Sequence, residues 1–186
     1  MNETTEERNA RRRKRARRSV VDDRPMSDEE RILTHLELGR SLAIHGSLEA
    51  WEKNLAYLPF RFALEMHNEI LPHEIHGRYD FTEDKMVPPS WYSEFCTYCE
   101  EHKEHNCALL IYGITKCEWD KQVILNCLLL ERKLQPDYFP LPANAGVVLL
   151  VENKEDAKYE YHHLTAQVAD RCGHIYLGND GKRRHS

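Results

Sequence analysis

Gly146-Val-Val-Leu-Leu-Val-Glu152 is the clearest strand in the chain, five consecutive apolar residues between a glycine and a glutamate. Its length suits a buried strand and falls far short of the ~20 residues that cross a bilayer. A second run, Cys107-Ala-Leu-Leu-Ile-Tyr-Gly-Ile114, reads the same way. His174 to Leu177 is a shorter candidate, followed by a turn at Gly178-Asn-Asp-Gly181 and a basic end. Gln122 to Leu130 fits a strand or a short helix equally by periodicity, as does His162 to Asp170. Residues 107–186 are therefore expected to be strand-rich, with Pro136, Pro140 and Pro142 in a loop.

Upstream the period changes. Ser27-Asp28-Glu29-Glu30 has the form of a capping box, with acids at the positive end of the helix dipole. Ile32, Leu33, Leu36, Leu38, Leu42 and Ile44 follow, many at helical spacing, and Gly46 suits a stop. Ser47 can cap a second helix carrying Leu48, Trp51, Leu55 and Leu58. A third is expected from Pro59 to about Ile70, with Phe60, Phe62, Ala63 and Met66 inward and Pro72 as its end. Leu71 to Pro89 looks irregular. Ser90 can cap a further helix on which Trp91, Phe95, Tyr98, Cys99 and His102 recur. The expected fold is α+β: a single domain over 27–186, mainly helical over 27–106, packed on a small, mostly antiparallel sheet from 107–186. A chain of 186 residues allows one such domain.

Residues 1–26 contain almost nothing apolar and read as a disordered tail. Within them, Arg11, Arg12, Arg13, Lys14, Arg15, Arg17 and Arg18 make seven of eight consecutive positions basic. Met1 to Arg18 hold eight basic residues against three acids, a charge of +5. The whole chain carries −5, so the remainder holds −10. Such a run suits the acidic groove of a nuclear import receptor, or RNA phosphates met by guanidinium forks. The acidic body argues against a large nucleic-acid surface of its own. No secretory signal or membrane span is expected, so the six cysteines are expected to stay reduced.

The densest chemical cluster is Cys96, Cys99, His102, His105 and Cys107, five potential ligands within twelve residues. Zinc takes four sulfur or nitrogen ligands, and Cys-x2-Cys is a common half-site. Cys96, Cys99, His102 and Cys107 together resemble a shortened zinc knuckle, two residues short in the middle and without its glycines. Ligands could also come from His73, His76, Cys117, Cys172 or His174. The competing reading is a helix with Cys96 and Cys99 in the core and Glu100, Glu101, Lys103 and Glu104 in water.

Catalytic patterns are sparse. His163-Leu164-Thr165 has the His-x-Thr form of two-histidine phosphoesterases, but the second such piece those enzymes need is missing. The sequence holds no Gly-x-x-x-x-Gly-Lys-Ser/Thr and no Gly-x-Gly-x-x-Gly. The leading expectation is a non-catalytic nuclear regulatory or adaptor protein, of viral accessory style. The tail would supply targeting or RNA contact, the body would hold a protein partner, and zinc would brace the cysteine-rich segment. The cytoplasm is the alternative location. The rival functions are a zinc-dependent nucleic-acid-binding protein and a metal-dependent hydrolase or phosphoesterase using His73, His76 or His163.

Overall fold

The computed structural model describes residues 26–56, 58, 60–135, 138–157 and 161–177. Arg11–Arg18, the start of the expected third helix at Pro59, Pro136 and the turn at 178–181 lie outside them. The described chain runs α1 (Asp28–Glu37), β1 (Leu42–Gly46), α2 (Leu48–Asn54), β2 (Arg61–Glu65), α3 (Pro72–His76), β3 (Arg78–Asp80), β4 (Lys85–Val87) and α4 (Ser90–Glu101). It continues through β5 (Cys107–Tyr112), α5 (Trp119–Gln122), α6 (Asn126–Glu131), β6 (Lys133–Gln135), β7 (Tyr138–Pro140), β8 (Ala145–Glu152), α7 (Ala166–Ala169) and β9 (Gly173–Tyr176).

Five strands form one sheet in the order β2-β5-β8-β1-β9, and every pairing in it is parallel. The expectation of a helical half on a small antiparallel sheet is therefore corrected. The sheet draws β1 and β2 from the first half of the chain and carries helices on both faces. Among the described residues the antiparallel pairs are the two-stranded ribbons β3–β4 and β6–β7.

Parallel strands are covered on both faces, which is why β5 and β8 read as unbroken apolar runs. Alternate residues of β8 feed two cores. Val148 and Leu150 meet Ile32, Leu36, Trp51 and Leu55 of the α1–α2 face. Val147, Leu149 and Val151 meet the face built by Phe95 and Cys99 of α4, Leu125, Leu128 and Val168. Each such fully buried side chain contributes about 1.5–3 kcal/mol.

The capping box at Ser27 forms, with Glu30 N–H on Ser27 Oγ and Ser27 N–H on Glu30 Oε2. The helix it starts ends at Glu37, and Gly39 at φ +62° turns the chain into β1. Leu42 and Ile44 therefore belong to a strand, not to the first helix. The segment expected as the third helix holds β2, an edge strand in which Phe62 and Leu64 are half-buried and Arg61, Ala63 and Glu65 are exposed. The stretch from Leu71 to Pro89 is ordered as α3 and the β3–β4 ribbon. Gln122 to Leu130 is helical, and the helix expected at Ser90 is α4.

Candidate functional site

In an open parallel α/β sheet, ligands sit beyond the carboxyl ends of the strands, where successive connections leave in opposite directions. Here that place lies between β1 and β8. The connection after β1 carries α2 over one face to β2, and the connection after β8 carries α7 over the other to β9. The crevice between them is bounded by Gly46 and Ser47 at the end of β1 and by Glu152 and Asn153 at the end of β8.

This crevice is closed by the chain itself. Only Ser47 separates β1 from α2. Its Oγ accepts the Ala50 N–H at 3.2 Å, so the helix start is capped from within. Asn153 N–H donates to the Gly46 carbonyl at 3.3 Å. Gly46 is needed for close approach: a Cβ there would lie 3.2 Å from Trp51 Nε1 and 3.4 Å from Leu177. The indole of Trp51 is buried over this corner, and its Nε1–H has no hydrogen-bond partner among the described residues.

Beside the crevice, the opposite face of the sheet carries a histidine pair. His45 Nε2 and His174 Nδ1 are 2.8 Å apart, and His174 Nε2 is 3.0 Å from the Ala169 carbonyl. Tyr176 stacks on His45 with ring centroids 4.3 Å apart. Burial, and then the neighbouring His174, depress His45 to about 4. Sequence reading passed over His45. No sequence signal marked it, because its pairing with His174 and Tyr176 comes from the neighbouring strand β9.

An open cleft of about 430 Å³ lies at the end of the edge strand β2. Leu64, Ile70, Val87 and Trp91 give it an apolar floor, and His67, His73, Glu74 and Arg78 stand around it. Glu74 is engaged, accepting the Leu71 N–H at 2.7 Å.

The five expected zinc ligands do not converge. Cys99 and Cys107 are buried against each other, and burial pushes Cys99 up to about 12 and raises Cys107. Cys96 lies toward Tyr92. His102 and His105 pack on Phe60 at 4.7 and 4.2 Å between ring centroids. No group of three or more His, Cys, Asp or Glu is placed to hold a metal ion among the described residues. Asn144 ties the segment together instead, its Nδ2 donating to the carbonyls of Cys99 and His105 at 3.1 and 3.0 Å.

The expected catalytic histidines are also dispersed. His73 is exposed at the cleft, whereas His76 is half-buried and depressed by that burial. His163 packs edge-on against Tyr161, on the segment that follows Thr115 through the bond from His162 N–H to the Thr115 carbonyl.

One solved structure with this fold is described as a "putative ATPase" from Cytophaga hutchinsonii. It superposes with a TM-score of 0.53 at 16% identity, covering 80% of this chain and 44% of that one. The chain thus spans less than half the length of that protein. No protein-family profile matches the chain, and no curated protein does. The expectation of a non-catalytic nuclear regulatory or adaptor protein of viral style is corrected here. It rested on the basic tail and the lack of a catalytic motif, and the body has the parallel α/β fold of a protein described as an ATPase, which points away from it.

Proposed function

We propose that the chain is an ATPase-fold protein in which the crevice between β1 and β8 is filled by the chain's own residues. Triphosphate chemistry on such a sheet needs the phosphates held where the first strand meets its helix. The usual device is a glycine-rich loop whose backbone N–H groups point at them, followed by a lysine. The single observation that carries the proposal is the one-residue corner at Ser47. Too little chain is present to form a cradle, and the Ala50 N–H at the start of α2 is already taken by Ser47. The test is phosphate release from magnesium-ATP, together with titration by a fluorescent ATP analogue. Release at the rate of the buffer blank and no saturable binding are expected. Magnesium-dependent release that is lost on Ser47→Arg overturns the reading.

The basic run Arg11–Arg18 supports a binding activity toward polyanions such as RNA. A segment meeting several phosphates binds with a steep salt dependence. RNA binding by the full chain should weaken sharply from low to physiological salt and vanish when the run is neutralised.

A further inference from the structure

The β3–β4 ribbon carries an exposed aromatic side chain at its tip. Phe81 is 90% exposed, and Tyr79 meets it edge-on. The tip is held in shape: Asp80 Oδ1 accepts the N–H of Thr82 at 2.8 Å and of Glu83 at 3.3 Å. The Tyr79 hydroxyl bonds the Asp84 carboxylate, with Asp84 at φ +50°. A large apolar side chain fixed in water on a braced turn is pre-organised for burial elsewhere.

We propose that a second copy of this chain is what covers it, with Phe81 seated in the cleft at the end of β2. The cleft of about 430 Å³ is wide enough for one aromatic ring, and Leu64, Ile70 and Trp91 offer it an apolar floor. Opposite charges stand ready to meet. Phe81 is flanked by the carboxylates of Asp80 and Asp84, Glu83 being paired with Lys85, and the rim of the cleft bears Arg78 with His67 and His73. The rim also carries one acid, Glu74, whose Oε2 accepts the Leu71 N–H.

The contact requires two molecules. Gly77, Arg78 and Val87, at the base of the ribbon, line the cleft, while Phe81 stands at the tip, beyond the three paired positions. Three residues of strand span roughly 10 Å, and a braced ribbon does not fold back on its own base. Tip and cleft lie on the same ribbon, so two copies can exchange tips about a two-fold axis and close the assembly. The area is small. Two inserted aromatic rings bury less than the ~1,600 Å² of a standard interface, so the dimer is weak and concentration-dependent.

The test is sedimentation equilibrium of the full chain at low salt, over concentrations on the order of 1 to 100 µM, the range of a weak interface. The apparent mass should rise toward that of a dimer. Phe81→Ala and Arg78→Glu should each return it to the monomer, and Phe81→Leu should retain association. Phe81 has almost no contact to lose within its own chain, so Phe81→Ala does not unfold it, as unchanged circular dichroism would verify. A chain that stays monomeric throughout overturns the proposal, leaving any other partner to cover the tip. A dimer that survives Phe81→Ala or Arg78→Glu overturns it equally. Neither result bears on ATP turnover, which is measured separately.

Discussion

His45 Nε2 lies 2.8 Å from His174 Nδ1, so two imidazoles from neighbouring strands share one proton. The direction follows from the next atom along. The Ala169 carbonyl can only accept, so His174 Nε2 carries its hydrogen. His174 Nδ1 is then the acceptor and His45 Nε2 the donor. A second proton on either ring would set two N–H groups against each other or leave a charge half-buried.

Acid should therefore loosen the β1–β9 edge. His45 titrates at about 4 in the fold against an ordinary 6.5, chiefly through burial. Between those values the unfolded chain takes up a proton that the folded chain refuses. Stability accordingly rises with pH across the window and is lost as pH falls from 6.5 through 4. Thermal melts at pH 7, 6, 5 and 4 should show a falling Tm, with a shallower fall in His45→Gln. An identical slope in the two proteins would remove this pair as the cause.

Gln122 should be costly to replace. Its side chain is fully buried and makes three bonds: Nε2 to the carbonyls of Cys117 and His163 at 3.0 and 3.1 Å, and Oε1 from the Thr165 N–H at 2.9 Å. It fastens the segment leading into α7 to the end of β5. Each buried backbone group left unpaired costs about 1–3 kcal/mol, so Gln122→Ala should lose about 3 kcal/mol or more in urea unfolding. A loss under 1 kcal/mol would mean that water replaces the amide.

Trp51 separates packing from hydrogen bonding. Its ring is buried between α2 and the corner at Gly46, but its Nε1–H has no partner among the described residues. Trp51→Phe removes that donor and keeps most of the ring, and should cost about 1.5 kcal/mol or less. Trp51→Ala leaves a cavity and should cost about 3–5 kcal/mol. Comparable losses in the two variants would point to an unseen partner for the indole N–H.

Thiol labelling should divide the six cysteines. Cys99, Cys107 and Cys117 are buried, and burial raises all three, Cys117 to about 11. Cys172 is also pushed up to about 12 by burial. Cys96 and Cys127 are half-exposed. A disulfide reagent at pH 8 should modify at most these two quickly in the native protein, with the rest reacting on unfolding. Mass mapping would identify them. Fast modification of Cys99 would overturn the buried assignment.

The sequence by itself determined the elements whose signal is local. The capping box at Ser27, the helix from Ser90 and the strands at Cys107 and Gly146 are each set by neighbours within a turn or by an unbroken apolar run. It also bore on the crevice, since the missing glycine-rich lysine loop is a fact of composition at one corner.

Tertiary structure alone decided the rest. Leu42–Gly46 and Arg61–Glu65 are five residues each, short enough for helical and strand spacing to coincide, and pairing with β8 and β5 makes them strands. An unbroken apolar run such as Val147–Val151 marks a strand buried on both faces, but which strands lie beside it depends on what the crossovers bring alongside. The same holds for chemistry. Cys96, Cys99, His102, His105 and Cys107 are close in sequence, yet Cys99 and Cys107 meet in the core, His102 and His105 pack on Phe60, and Cys96 lies toward Tyr92. His45 and His174 are 129 residues apart and touch, because distance along a chain says nothing of distance across a sheet.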